Sequence, residues 1–256
     1  MKKNLSVILV LAVCGLFLNV QKSSSQDSAV DIGADFVSRY VWRGLNLGGS
    51  AAHLQPYIEY SPRNTGLTIG TWGSFGLSPG AGVTEADLYI SYSPVESFTV
   101  TISDYFFPSD SPFARDDYFN YKKGETGHTL EGMVSFNGTE NFPVSILFAM
   151  NLYGDDGTDE DGNNYYAKYL EIGYSTSYKN LDIETFAGMA IDNPKTELGA
   201  EGWYGDSGGI INLGVNFSGS LRISETISIP AFSSLIFNPE AGNIYMVAGL
   251  SFGFTQ

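Results

Sequence analysis

The sequence predicts an all-β chain: a transmembrane, up-and-down antiparallel β-barrel of about twelve strands, preceded by an N-terminal signal peptide. Three observations predict it. The chain closes on an alternating stretch, with Ile244, Met246, Ala248, Leu250, Phe252 and Phe254 on one face and Tyr245, Val247, Gly249, Ser251 and Gly253 on the other. Successive strand residues point to opposite sides, so one face is wholly apolar and the other small and mixed. Termini usually fray into water, and a soluble domain has little use for two bare phenylalanines there, whereas a barrel strand in lipid does. Second, alternation recurs along the chain in segments of barrel-strand length, and after the N-terminus no apolar run is long enough for a membrane helix. Third, long or polar connections follow mostly the odd-numbered segments and short turns the even-numbered ones, the asymmetry of an outer-membrane barrel.

The N-terminus combines Lys2 and Lys3, an apolar run from Leu5 to Val20, and Ser23, Ser24 and Ser25. That order describes a secretory signal peptide over residues 1–25 and leaves 26–256 as one barrel domain. The sole cysteine, Cys14, lies inside this run, so the mature chain has no disulfide framework or thiolate metal site. The formal net charge is −15, and losing Lys2, Lys3 and Lys22 makes it more negative by three. Such a surface repels nucleic acid and attracts cations. Mean hydropathy of −0.04 is uninformative, because alternating strands average to neutral. The 30 glycines, 16 tyrosines and 17 phenylalanines fit strands that need close approach and aromatic girdles.

In the first strand Val30, Ile32, Ala34, Phe36, Ser38, Tyr40 and Trp42 share one face, and Asp31, Gly33, Asp35, Val37, Arg39, Val41 and Arg43 the other. Two acids and two bases on one face are costly against lipid and suit an aqueous or ion-paired interior. Tyr40 and Trp42 are expected in the interfacial belt. After a small-residue loop at 44–52, the strand from His53 to Tyr60 carries Pro56, which predicts a bulge or break in the ladder. Leu67 to Phe75 and Glu85 to Tyr92 follow. Phe98, Val100 and Ile102 begin the fifth strand, and Asp104 to Pro108 predicts a bulge or an exit from lipid. Beyond a polar loop at 109–127 come strands around Leu130–Phe136 and Val144–Leu152. An acidic, glycine-rich loop at 154–164 leads to Tyr166–Tyr174, with Lys168 placed to snorkel from the apolar face. Leu181–Ile191 and Ile211–Phe217 follow, with Ile211, Leu213, Val215 and Phe217 on one face. A link at 218–225 leads to residues 226–237, which Pro230 disturbs, and then to the terminal strand. Its Ile244–Phe254 stretch is what the barrel assembly machinery would engage.

The segment Ser38-Arg39-Tyr40-Val41-Trp42-Arg43-Gly44, followed by Gln55-Pro56, resembles the opening motif of the TorF family of porin-type proteins. Three later stretches resemble it too: Asp104 to Pro108, Tyr169 to Tyr174 and Phe237 to Glu240. The resemblance spans nearly the whole mature chain. It implies an outer-membrane barrel of porin type, located in the cell outer membrane among lipids and lipopolysaccharide. It brings no established solute and no catalytic residues.

The inward faces offer Asp31, Asp35, Glu59, Glu85, Asp87, Glu131, Glu171, Asp182 and Glu184 against Arg39 and Arg43. Rings of acids in a pore favour cations, so these residues line a channel for small solutes or ions. Alternatively, a twelve-strand barrel is narrow, and they fill it as an ion-paired plug with Tyr57, Trp72, Tyr89, Tyr169 and Phe186. The barrel would then be a non-conducting structural or ligand-binding one. An outer-membrane lipid hydrolase would need a base, for which only His53 and His128 qualify, and nothing in the spacing selects Ser50 or Asn120 as a partner. Asp155, Asp156, Asp159, Glu160 and Asp161 do not follow a calcium-loop spacing. Trp203 and Tyr204 suit sugar stacking, interface anchoring or loop core equally. No cofactor, metal or catalytic residue is expected.

Overall fold

The computed structural model describes residues 29–108, 117–224 and 227–255. The expected signal peptide lies outside them. The strands are β1 (Ala29–Val37), β2 (Val41–Trp42), β3 (Leu45–Asn46), β4 (His53–Ser61), β5 (Leu67–Gly76), β6 (Glu85–Val95) and β7 (Phe98–Phe106). They continue as β8 (His128–Phe136), β9 (Val144–Gly154), β10 (Lys168–Tyr178), β11 (Leu181–Ala190), β12 (Gly209–Arg222), β13 (Ser228–Asn238) and β14 (Asn243–Thr255). All but β2 and β3 form one closed antiparallel barrel, each strand hydrogen-bonded to its chain neighbours, and β1 pairing with both β14 and β4. Closure leaves no unpaired edge. Alternation therefore yields twelve barrel strands, and the terminal strand closes the ring through Ile32↔Phe254 and Phe36↔Leu250.

Alternation sorts the side chains. Ile32, Ile58, Ile69, Leu88, Ile102, Ile172, Leu235 and Phe252 lie exposed on the outer surface, with their sequence neighbours turned inward. The start of β1, the end of β14 and five short turns share one rim, while the other carries the longer loops together with the short turn at 239–242.

Glycines make room for inward aromatic rings. A Cβ on Gly33 would meet the Tyr57 ring at 2.4 Å, one on Gly70 the Tyr89 ring at 2.3 Å, one on Gly188 Tyr169 at 1.9 Å, and one on Gly249 Phe232 at 2.2 Å. Each aromatic side chain packs over a glycine of the adjoining strand, which covers the bare backbone and sets register.

Several details differ from the sequence expectation. The first strand stops at Val37 instead of running to Arg43. Residues 38–52 turn into the barrel, carrying the hairpin β2–β3 with them. Tyr40 and Trp42 are therefore buried inside and do not sit in an interfacial belt. No bulge occurs at Asp104: β7 keeps register with β8 through Phe106↔His128. Asp104 stays on outward parity at the long-loop rim because His128 Nδ1 (2.8 Å) and the Tyr121 hydroxyl (2.6 Å) cover it. Ile211 faces inward, because a bulge opposite Gly188 and Met189 shifts the parity of β12. The predicted link from residue 218 is still strand as far as Arg222. Pro56 does interrupt the ladder with β5, whose pairing resumes at Tyr57↔Trp72. Pro230 leaves the β12–β13 register intact, since β14 pairing begins only at Ala231. Lys168 reaches Asp192 at 2.8 Å.

Candidate functional site: the lumen

The lumen divides into two halves. Toward the long-loop rim it is packed solid. Residues 38–52 leave β1, cross inside and return to β4. Gly44 sits so close to β12 that a Cβ would lie 1.8 Å from the Ile211 carbonyl oxygen, and its φ of +78° also requires glycine. The Gly44 carbonyl accepts a hydrogen bond from Asn238 Nδ2 at 3.2 Å.

Arg43, at the tip of this loop, takes a left-handed φ of 47°. That conformation costs on the order of 1 kcal/mol and must be held by its surroundings. It is held by charge. Nη1 and Nη2 donate to both carboxylate oxygens of Glu131 on β8 at 2.5 and 3.0 Å, and Nη1 also donates to the Tyr204 hydroxyl at 2.6 Å. The guanidinium lies 4.4 Å from the Trp42 ring centroid and 4.6 Å from that of Tyr169. Trp42 stacks on Tyr204 at 5.9 Å and meets Tyr105 edge-on at 5.8 Å. A paired and fork-bonded arginine between aromatic faces is the arrangement that makes a buried charge tolerable. Val41, on the other side of the hairpin, packs with Val37, Phe186, Phe232, Ile236 and Val247. The loop thus joins the β1–β4 wall to the opposite wall.

Toward the short-turn rim the lumen is more open. Asp31, Thr99, Thr101, Ser135, Ser145 and Glu184 are only half-buried there.

The sequence-predicted lumen residues fall into four groups. Glu59, Glu85, Glu131 and Glu171 are buried, and each accepts from a tyrosine: Tyr89 (2.5 Å), Tyr40 (2.7 Å), Tyr105 (2.7 Å) and Tyr169 respectively. Asp35 and Asp87 are buried with orphaned oxygens: both oxygens of Asp35 and Oδ1 of Asp87 have no hydrogen-bond partner. Asp31 and Glu184 border the open half and accept from Thr255 (3.2 Å) and Asn216 (3.1 Å). Arg39 and Asp182 stand apart. Arg39 lies half-buried with its guanidinium 5.9 Å from the Tyr245 ring, and Asp182 is exposed near the β10–β11 turn, bonded to Ser177 at 2.6 Å. Arg43 is the only buried lysine or arginine among the described residues.

Tyr89 and Tyr169 were expected in the lumen, but the tyrosine–carboxylate pairings, the inward Tyr40 and Tyr105, and the Trp42–Tyr204 stack escaped sequence reasoning. One signal lay in the sequence: Tyr169 stands two residues from Glu171, the same-face spacing of a strand. The Tyr40–Glu85 and Tyr204–Arg43 contacts are long-range and had no local signature.

Both histidines are fully buried. His53 Nδ1 meets Ser74 Oγ at 2.9 Å and Nε2 meets the Gly48 carbonyl at 3.1 Å. His128 Nδ1 meets Asp104, and Nε2 donates to the Tyr118 carbonyl at 2.7 Å, with Phe106 and Tyr121 stacked on its ring. Neither offers a free ring nitrogen to a substrate. In the acidic loop, Asp156 accepts from Asn151 Nδ2 (2.9 Å) and the Ala167 amide (3.3 Å), and burial holds its carboxyl above the usual range.

The sequence model of the Gcw_chp family, described as a bacterial protein of unknown function, matches residues 21–217. No curated protein matches the sequence. Among solved structures, an anion-selective porin from Comamonas acidovorans is similar at 10% identity over 91% of this chain and 98% of that one, with a TM-score of 0.30. A likeness at that level carries no argument about solute or selectivity. That match carries no statement about the TorF family that the opening motif resembles. The chain belongs to the Gcw_chp family of bacterial proteins of unknown function.

Proposed function

We propose that this protein is an outer-membrane channel of porin type, constricted by its own inward loop and selective for small cations over anions. The carrying observation is the charge of the inward wall. Asp35, Glu59, Glu85, Asp87, Glu131 and Glu171 are buried there against one buried lysine or arginine among the described residues, Arg43, which Glu131 already occupies. Carboxylate-lined pores attract cations and exclude anions. The exposed aliphatic band on the outer wall supports placement in lipid, because a patch of that extent in water would drive aggregation. The TorF-like motif at residues 38–44 accords with this reading, and its Arg43 is the residue that pins the loop.

A second reading, a non-conducting ligand-binding or structural barrel, is favoured by the packed half of the lumen around Trp42 and Arg43. Planar-bilayer recording under a potassium chloride gradient separates the two. We expect small unitary currents with a reversal potential on the cation side, shifted toward zero by Glu59→Gln plus Glu184→Gln at the open end. A reversal potential on the anion side contradicts the selectivity, and complete absence of current in every condition supports the non-conducting barrel.

A further inference from the structure

We infer that the open half of the lumen carries a binding site for a primary ammonium group, built from Glu184 on β11, Asn216 on β12 and Ser145 on β9. The three side chains stand at the border with the packed half, where Phe186 is the next inward residue of β11. Glu184 and Ser145 are half-buried, and Asn216 is 8% exposed. Register brings them together: Ser145 pairs with Gly173 on β10, Gly173 with Phe186, and Glu184 with Asn216. Gly173 lets Ser145 and Glu184 approach each other across β10. A Cβ there would collide with Ser145 Oγ and lie 3.5 Å from Glu184 Oε1. No ring covers this glycine, because Phe186 leans the other way, over Gly214, where a Cβ would meet its Cζ at 2.5 Å.

The hydrogen bonds leave only acceptors over. Asn216 Nδ2 donates to Glu184 Oε2 at 3.1 Å, which holds the carboxylate in place. Among the described residues, Glu184 Oε1 and Ser145 Oγ have no hydrogen-bond partner, and Glu184 enters no ion pair. Asn216 Oδ1, on the other branch of the same amide, is buried and also without a partner. Buried polar atoms are nearly always satisfied, so an orphaned amide oxygen beside a carboxylate points to a donor that the chain itself does not supply. The basic residues of the neighbouring turns are engaged elsewhere: Lys179 lies over the Tyr178 ring, and Arg222 Nε donates to the Ser224 carbonyl. An alkylammonium brings three N–H donors, one positive charge and no acceptor, which matches one carboxylate oxygen and two neutral oxygens. A guanidinium matches less well. Its fork takes both oxygens of a carboxylate, and Asn216 already occupies Oε2. The rest of the ligand would extend toward the short-turn rim, past the hydroxyls of Thr99, Thr101 and Ser135, so the solute is a small, polar amine.

As a solute class for the proposed channel this rests on that reading; as a binding site it is tested without current. The probe is ethylammonium chloride, and the comparison is tetramethylammonium chloride, which has the same charge and no N–H donor. Saturation-transfer NMR on the full-length protein refolded in detergent should show binding of the first and not of the second. Glu184→Gln should weaken ethylammonium binding roughly tenfold, as expected for losing a charge-assisted hydrogen bond. Ser145→Ala, a mild change that keeps the fold, should weaken it several-fold. Asp31→Asn, on another wall of the open half, should leave it unchanged. The site is overturned if the wild type shows no transfer, if tetramethylammonium binds as well, or if Asp31→Asn weakens binding as much as Glu184→Gln, since the last two indicate attraction by overall negative charge alone. Binding retained by a protein that passes no current would sink the channel and keep the site, and current without binding would do the reverse.

Discussion

Arg43 decides whether the inward loop stays in place. Its left-handed backbone is unfavourable, and its charge is tolerable only because Glu131 and Tyr204 take its donors. Truncating one partner of a buried pair strands the other charge, at a cost of about 3–5 kcal/mol. We expect Arg43→Ala to lose stability on that scale, read by urea unfolding of the refolded protein. Arg43→Met combined with Glu131→Leu should recover much of it, since an apolar pair of similar volume leaves no orphan charge. Equal loss in both variants would mean that the loop is held by packing alone. At this scale the sequence was legible in part. It placed acids and Arg43 on one face of the first strand, away from lipid. It could not foresee their partners, because Arg43 and Glu131 are 88 residues apart and no local pattern encodes their meeting.

At the scale of elements, the strands follow from alternation almost wherever it is clean. Ile244 to Phe254 is the plainest case, with an apolar face outward and Val247 and Gly249 inward. The misreadings share a cause. Ser38, Tyr40 and Trp42 continue the parity of Val30 to Phe36, so a two-residue period runs unbroken past the true strand end. Period alone cannot distinguish an aromatic residue facing lipid from one folded into a packed lumen, since both environments are apolar. Gly44, Gly48 and Gly49 were the available hint, a cluster where backbones come close. At Asp104 a carboxylate on the outward face reads as a bulge or an exit from lipid; there is no bulge, and β7 ends two residues later, with His128 and Tyr121 covering the carboxylate. The loop after β9 carries a pH prediction. Burial raises the Asp156 carboxyl above its unfolded value, so its contribution to the folded loop is fullest at low pH and fades as pH rises through the raised value. Limited proteolysis at residues 155–167 should therefore speed up as pH climbs out of the acidic range, and Asp156→Asn should flatten that dependence. A rate that instead slows over that window would reverse the assignment.

For the whole molecule, twelve closed strands with a greasy exterior and a carboxylate-rich interior invert the usual layout of a soluble protein. Ile102, paired with Ile90 and Gly132 near mid-strand, is half exposed on the outer wall. In lipid, Ile102→Arg should cost about 2–4 kcal/mol at the bilayer midplane. Urea unfolding in liposomes reads this directly, and an unchanged midpoint would mean that the wall does not face acyl chains. The architecture was readable from the sequence because closure, alternation and loop sorting all constrain the same ring. Lumen occlusion was not, because it depends on a loop that leaves the ring and fills it from within.

Single-channel current from the wild type, set beside a variant whose residues 38–52 are replaced by a short glycine-serine turn, bears on that occlusion most closely. The shortened protein should pass several-fold more current per channel and keep its preference for cations. Identical conductance in the two proteins would show that the Arg43 loop does not close the barrel.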